Sequence, residues 1–285
     1  MRLSSYFPIL LLLLAGGCAL LPEQVDKTKD WSASQLYSAA KEALNDKDYE
    51  EAIDYFEKLE ARYPFGTYAQ QAEIEIAYAY YKYDEPQSAI STAQHFIKMN
   101  PRHPNVDYAW YIMGLTNYNR GRTFIDRVLP QDPSQRDTTI MHQAYDDFYQ
   151  LVKRYPNSKY AGDATQRLIY LRNNMALYEM HVADYYMRRG AYIAAANRAE
   201  FVIENYQRTT SVPDALVMMV RAYRKLEMNE LADDALRVLR LNYPDNPDIP
   251  ALSQGQDPRR KKGLFGWFQS STGTVTKPHA GQILS

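Results

Sequence analysis

Ala52-Ile53-Asp54-Tyr55-Phe56-Glu57-Lys58-Leu59-Glu60-Ala61-Arg62-Tyr63-Pro64 is the stretch on which the fold turns. Its Ala52, Phe56 and Leu59 stand 12, 8 and 5 residues before Pro64. Those intervals put the three side chains on one stripe of a helix. The proline cannot continue that helix, and it pushes the residue before it toward extended backbone. The same frame recurs before Pro101 (Ala89, Ala93, Phe96, Asn100) and before Pro156 (Ala144, Phe148, Leu151, Tyr155). It recurs before Gln207 (Ala195, Ala199, Val202, Tyr206) and before Pro244 (Ala232, Leu236, Leu239, Tyr243). Alanine holds the first place every time. A small residue held at one place marks where two helices approach closely.

This frame resembles the tetratricopeptide repeat, a helix pair of about 34 residues. In that family the small residue, the large apolar residue and the proline keep the same relative places. The first helix of each pair matches too, with Ala40, Ala77, Gly114, Ala183 and Val220 at its small position. Three residues later the family usually has an aromatic. Tyr80, Tyr186 and Tyr223 conform, and Ala43 and Asn117 depart. Gln207 departs from the proline rule. The reading is an all-α, right-handed superhelical solenoid of about five helix pairs over residues 32–244. Its N-terminal half covers 32–156 and its C-terminal half 157–244. The third pair carries an insertion from Asn119 to His142, with Pro130 and Pro133, expected to be a surface loop between its two helices. Residues 161–189 contain no proline, and their Gly162 lies near the start, so they are expected to form one long helix.

Stacked pairs create a concave face from their first helices. By resemblance to the repeat family, the groove in the first three pairs is lined by Tyr37, Ile74, Tyr78, Tyr81, Tyr108, Tyr111, Leu115 and Tyr118. The last pair supplies Asp214, Val217, Arg221 and Arg224 instead. One end is therefore aromatic and the other charged. The chain has 25 tyrosines, a stiff amphipathic residue that serves both cores and peptide-binding surfaces. An aromatic groove with polar tips suits an extended peptide carrying alternate aromatic side chains.

The N-terminus reads as a targeting segment. Arg2 is followed by an apolar run from Tyr6 to Leu14. That is shorter than the roughly 20 apolar residues a spanning helix needs, so 1–17 reads as a cleavable signal peptide. Ala15-Gly16-Gly17-Cys18 resembles the lipobox of bacterial lipoproteins, with Ala15 where leucine is usual. Cys18 is the sole cysteine, which favours lipidation and excludes an intrachain disulfide. Residues 18–31 then form a lipidated polar tether. By the same resemblance, Ala19 lacks the aspartate that retains lipoproteins at the inner membrane, which implies the periplasmic face of the outer membrane. Residues 245–285 read as a mostly disordered tail, rich in Pro, Gly and Ser. Within it, Arg259, Arg260, Lys261 and Lys262 precede Phe265, Trp267 and Phe268, a basic-aromatic segment able to dock on an anionic bilayer or an acidic partner.

Net charge is -1, so nothing draws the chain to nucleic acid. No two of the five histidines have ligand spacing, and a metal site is not expected. No phosphate-cradling glycine loop or nucleophile elbow appears, and no cofactor is implied. Asp146-Asp147 and Asp233-Asp234 are expected to face water. The chain reads as a protein-binding scaffold and not as an enzyme.

Longer motifs carry a closer resemblance. They are Arg62-Tyr63-Pro64-Phe65-Gly66-x-Tyr68-x-Gln70-Gln71, Tyr78-Ala79-Tyr80-Tyr81-Lys82, His103-Pro104-Asn105-x-Asp107-Tyr108, Gly114-Leu115-Thr116-Asn117 and Tyr155-Pro156-Asn157-Ser158-x-Tyr160-x-x-Asp163-Ala164-Thr165. Tyr178-Glu179, Ala183-x-Tyr185-Tyr186 and Arg189-Gly190-Ala191 complete the set. Together they resemble the BamD family, lipoproteins of the outer-membrane β-barrel assembly machine, from the signal peptide to about Pro244. The resemblance implies that the C-terminal repeats hold the POTRA domains of a BamA-type barrel protein. It implies that the N-terminal repeats meet the extended C-terminal signal of unfolded outer-membrane proteins, and that other Bam lipoproteins bind as well. Arg198 matches a family Asn-Arg pair and is the expected POTRA-facing charge, with Arg188 and Arg189 beside it and Arg221 and Arg224 in the last repeat. Two other classes stay open. One is a periplasmic repeat lipoprotein that organises secretin, pilus or peptidoglycan machinery. The other is a peptidoglycan lyase on a helical solenoid, for which no exposed glutamate in a cleft stands out.

Overall fold

The computed structural model describes residues 26–120 and 138–258. Among the described residues the chain forms eleven helices and no strand. They are α1 (Ala33–Asn45), α2 (Tyr49–Arg62), α3 (Thr67–Lys82), α4 (Pro86–Met99), α5 (Val106–Asn119), α6 (Thr138–Arg154), α7 (Ala161–Arg188), α8 (Tyr192–Asn205), α9 (Val212–Lys225), α10 (Asn229–Asn242) and α11 (Ile249–Ser253). Each helix from α1 to α10 packs on the next, and α1, α3 and α5 also touch in series, as do α7 and α9. That is the contact pattern of stacked helix pairs, a helical-repeat solenoid.

The repeat frame is the core. All of its alanines, Ala52, Ala89, Ala144, Ala195 and Ala232, are 0% exposed. Phe56, Phe148, Leu59, Phe96, Leu151, Val202 and Leu239 are equally buried. Burying each such large side chain contributes about 1.5–3 kcal/mol. On the first helices Ala40, Ala77, Ala183 and Val220 are also 0% exposed. Gly114 holds the same place in α5, where the ring of Phe148 leaves no room for a side chain. Gln207 does not disturb its repeat. The Tyr206 N–H donates to the Val202 carbonyl at 2.9 Å, as Tyr63, Asn100, Tyr155 and Tyr243 donate to Leu59, Phe96, Leu151 and Leu239 at 2.8 Å. The backbone bond ends each helix, with or without the proline.

Helix starts follow local chemistry. The Ser32 hydroxyl accepts from the Gln35 amide while the Gln35 side chain accepts from the Ser32 N–H at 2.8 Å, a reciprocal cap on α1. Asp48 caps α2 by accepting from the Glu51 N–H. Pro86 opens α4, where its missing N–H costs nothing. The turn inside four of the pairs is the same. Lys47, Asp84, Gly190 and Glu227 all have left-handed backbone, with φ of 67°, 65°, 76° and 60°. The next N–H, of Asp48, Glu85, Ala191 or Met228, reaches back to the carbonyl of Ala43, Tyr80, Tyr186 or Tyr223 at 2.9–3.0 Å. This closes the first helix and starts the second within three residues.

Several sequence expectations change. α7 is the single long helix expected, 28 residues from Ala161 to Arg188. The insertion is shorter than expected, because Asn119 closes α5 and Thr138 to His142 belong to α6. Residues 121–137 lie outside the described residues, as do the signal peptide, Cys18 and the basic-aromatic segment of Arg259, Arg260, Lys261, Lys262, Phe265, Trp267 and Phe268. The tether is not free up to residue 31. Thr28 is buried, and the Arg62 guanidinium donates to its carbonyl and to Asp26. The Tyr63 hydroxyl donates to the Trp31 carbonyl at 2.9 Å. The tail is folded at its start: α11 lies past residue 245, and its Leu252 is 1% exposed against α9 and α10. Its apolar side chains extend the core one step beyond the repeats. Asp147 does not face water. It is 8% exposed and accepts from the Asn117 side chain at 2.8 Å, whereas Asp146, Asp233 and Asp234 are exposed. The repeat frame aimed Ala144 and Phe148 inward, and Asp147, adjacent to Phe148, is carried in with them.

Candidate protein-docking surface

The first helices α1, α3 and α5 bring an aromatic face together. The ring of Tyr37 lies 5.4 Å from that of Tyr68. Tyr78 and Tyr81 are 6.4 Å apart on α3, and the Asn119 amide donates to the Tyr81 hydroxyl at 2.8 Å. Tyr108 and Tyr111 both stack on Tyr160, with centroids 5.1 and 4.7 Å apart and planes 22° and 18° from parallel. Such offset stacks hold the rings in place.

The expected residues divide by burial. Tyr37, Tyr78, Tyr81, Tyr108 and Leu115 are half-buried and offer part of their surface. Ile74, Tyr111 and Tyr118 are buried in the core, at 3%, 8% and 6% exposure. Tyr111 is instead structural. Its hydroxyl donates to Asp163 at 2.8 Å, and Asp163 also pairs with Arg167, which is 3% exposed. The Arg167 guanidinium sits 4.8 Å from the centroid of the Tyr118 ring. Four residues were missed from the sequence: Tyr68, Lys41 and Glu75 on this face, and Tyr160, buried beneath it at 6% exposure. A signal for two of them was present. Tyr63-Pro64-x-x-x-Tyr68 and Tyr155-Pro156-x-x-x-Tyr160 share one spacing. The second tyrosine of each meets the tyrosine three residues before the small position, Tyr37 ahead of Ala40 and Tyr111 ahead of Gly114.

The aromatic face has a charged centre. Lys41 Nζ and Glu75 Oε1 are 2.8 Å apart. Glu75 bears on Tyr37, Tyr78, Tyr108 and Tyr160, raising the pKa of each phenol, with burial the larger cause in every case. Burial pushes Tyr78 up to about 12. These phenols are therefore neutral hydrogen-bond donors at any physiological pH.

The C-terminal half presents cations, four of which are engaged within the chain. Arg198 Nη1 lies 3.0 Å from the carboxylate of Glu179, itself nearly buried. Arg188 pairs with Asp184 at 3.2 Å. Arg189 lies over the Tyr185 ring and donates to its hydroxyl at 2.8 and 3.0 Å. Arg221 is held by Asp257. Arg224 has its Nη1 buried with no hydrogen bond among the described residues. The structure does not gather these arginines into one cluster joined by shared partners.

Among the described residues no group of His, Cys, Asp and Glu is placed to hold a metal ion. Among them no helix is long and apolar enough to cross a membrane. The arrangement suits recognition: an extended curved face, neutral donors on stiff rings, and cations at the far end.

The YfiO family, described as outer membrane lipoprotein, matches residues 29–239. The outer membrane protein assembly factor BamD of Neisseria gonorrhoeae is 44% identical, over 81% of this chain and 86% of its own. BamD of Neisseria meningitidis serogroup B is 46% identical, over 77% of this chain and 82% of its own. BamD of Vibrio cholerae is 36% identical, over 85% of this chain and 99% of its own. The family match over most of the chain and these identities over nearly the whole length of each relative place the chain in the YfiO family of outer membrane lipoproteins, together with the BamD assembly factors.

Proposed function

We propose that this chain is an assembly factor for outer-membrane proteins that works as a scaffold, with no chemistry of its own. Its N-terminal repeats take the extended targeting signal of an unfolded barrel protein. Its C-terminal repeats, through Arg198 above all, hold the POTRA domains of a BamA-type partner, and other lipoproteins of the machine join them. Lipid on Cys18 anchors it to the periplasmic face of the outer membrane.

The observation that carries the reading is the tyrosine face centred on Lys41 and Glu75. An extended strand places alternate side chains on one side. Alternate aromatics can then sit among Tyr37, Tyr68, Tyr78 and Tyr108, while their backbone meets neutral phenol donors. Each filled aromatic site contributes on the order of 1–2 kcal/mol.

The test is site-specific photo-crosslinking in cells from positions 68, 78 and 198. Positions 68 and 78 are expected to capture nascent outer-membrane proteins, and position 198 the periplasmic part of a large barrel protein. Capture of secretin, pilus or cell-wall components instead would replace this reading.

A further inference from the structure

The last repeat is covered by its own chain. α11 is anchored by Leu252 among Val212, Leu216, Leu236 and Leu239. The chain then turns at Gly255, with φ of 75°. The Gly255 and Gln256 amides donate back to the Leu252 and Ala251 carbonyls at 3.1 and 2.9 Å. This returns Asp257 to α9, where its carboxylate accepts two bonds from Arg221, from Nε at 2.5 Å and Nη2 at 3.2 Å. A second carboxylate of the same segment, Asp248, also bears on Arg221. Arg221 occupies a groove position of its repeat, and its side chain is only 17% exposed beneath this cover. The cover itself is light, since residues 253–257 are exposed.

A planar guanidinium that takes a carboxylate through two parallel bonds is a recognition geometry. We infer that Arg221 is the reading point for a carboxylate on an acidic, extended segment of a partner polypeptide, and that Asp257 stands in for that carboxylate until the partner displaces it. The inference rests on the reading that the C-terminal repeats carry a partner surface. It adds which residue reads the partner, what chemistry it reads, and what must leave first. Complementary charge is the argument for the occupant. This chain already satisfies Arg221 with carboxylates supplied by a flanking strap, and Arg224 one turn away adds a second cation. A tethered strap acts at an effective concentration of roughly millimolar, so it excludes weak ligands and yields to one with several contacts.

The experiment uses the full chain and a fluorescein-labelled decaglutamate peptide, followed by fluorescence anisotropy at low salt. Asp257→Asn is expected to tighten binding about two- to five-fold, the factor an exposed ion pair supplies. Arg221→Gln is expected to abolish binding, and Arg221→Lys, which keeps the charge without the fork, to restore part of it. Peptide binding should also speed hydrogen exchange at the Gly255 and Gln256 amides. Thermal melts of each variant separate loss of recognition from loss of fold. An Asp257→Asn chain that bound no tighter, or binding that left those two amides protected, would overturn the inference. So would absence of peptide binding to both the wild type and Asp257→Asn. Crosslinking from position 198 does not involve Asp257, so failure here leaves the scaffold reading standing, and the two failures are read by separate measurements.

Discussion

Gly114 of α5 lies against the ring of Phe148 of α6. A methyl group built on Gly114 would stand 2.6 Å from two ring carbons and 2.9 Å from a third. Phe148 is 0% exposed and packs in the core cluster with Tyr111 and Tyr118. Gly114→Ala should therefore cost about 1–3 kcal/mol in urea unfolding, the range for overpacking. Adding Phe148→Leu should recover part of that loss. A Gly114→Ala chain as stable as wild type would show that this contact is looser than its geometry.

The left-handed turns give a prediction of opposite signs at equivalent places. Gly190 adopts φ of 76° freely, and Lys47 and Glu227 adopt 67° and 60° against their Cβ atoms. Gly190→Ala should destabilise by about 1 kcal/mol, the scale of the left-handed penalty for a side chain. Lys47→Gly and Glu227→Gly should stabilise slightly, by about 0.5 kcal/mol after the entropy of the added glycine is subtracted. Thermal melts of the three variants decide it.

Asp147 makes part of the stability depend on pH. Burial foremost raises its carboxyl from 3.8 to about 6, against the opposing bond from Asn117. A folded-state pKa above the unfolded value means that the folded chain holds the proton more tightly. Its contribution is therefore most favourable below pH 4 and is lost as pH rises through about 6, by about 1–3 kcal/mol in all. Asp147→Asn removes this dependence. Its amide can also donate to Asn117 Oδ1, which has no partner among the described residues. The variant is expected to be more stable than wild type at pH 7.5, with the gap narrowing as pH falls and nearly closed at about pH 3.5, below the unfolded carboxyl's pKa. Glu60, raised to about 7 mainly by burial, slopes in the same direction in both chains and cancels in the difference.

The aromatic face is tested by Tyr78. Tyr78→Ala should weaken a peptide with alternate aromatic residues about ten-fold in fluorescence anisotropy, equivalent to about 1.4 kcal/mol. Tyr78→Phe should keep most of the affinity if ring packing dominates. Equal, large losses in both would assign the energy to the hydroxyl.

The architecture was legible because it depends on residues that recur. Ala52, Ala89, Ala144, Ala195 and Ala232 show the close helix contacts directly, since a larger residue there would separate the pairs. The turns were not legible, because Lys47, Asp84 and Glu227 adopt a glycine-like backbone without being glycine. The docking face was half legible. The resemblance to the repeat family implies that Tyr78 and Tyr111 both line the groove, yet Tyr111 turns inward to Asp163 and Tyr78 does not. Such choices depend on what the neighbouring helix offers. Asp147 failed for the same reason: Asn117, 30 residues away, gives it a partner inside.

α7 has a mechanical consequence. Its 28 residues make a rod about 42 Å long, free of proline, with its glycine confined to the first turn. Near one end, Arg167 and Asp163 bolt it to Tyr111, and at the other Ala183 is clamped in the packing of the fourth repeat. The spacing of the two proposed docking faces is thus set by residue count, as in a machined strut. Removing four residues from its middle would draw the ends together by about 6 Å and rotate one against the other by roughly 40°. On the proposed scaffold role, both faces would keep their own affinities while a substrate held at one end could no longer be delivered to the other.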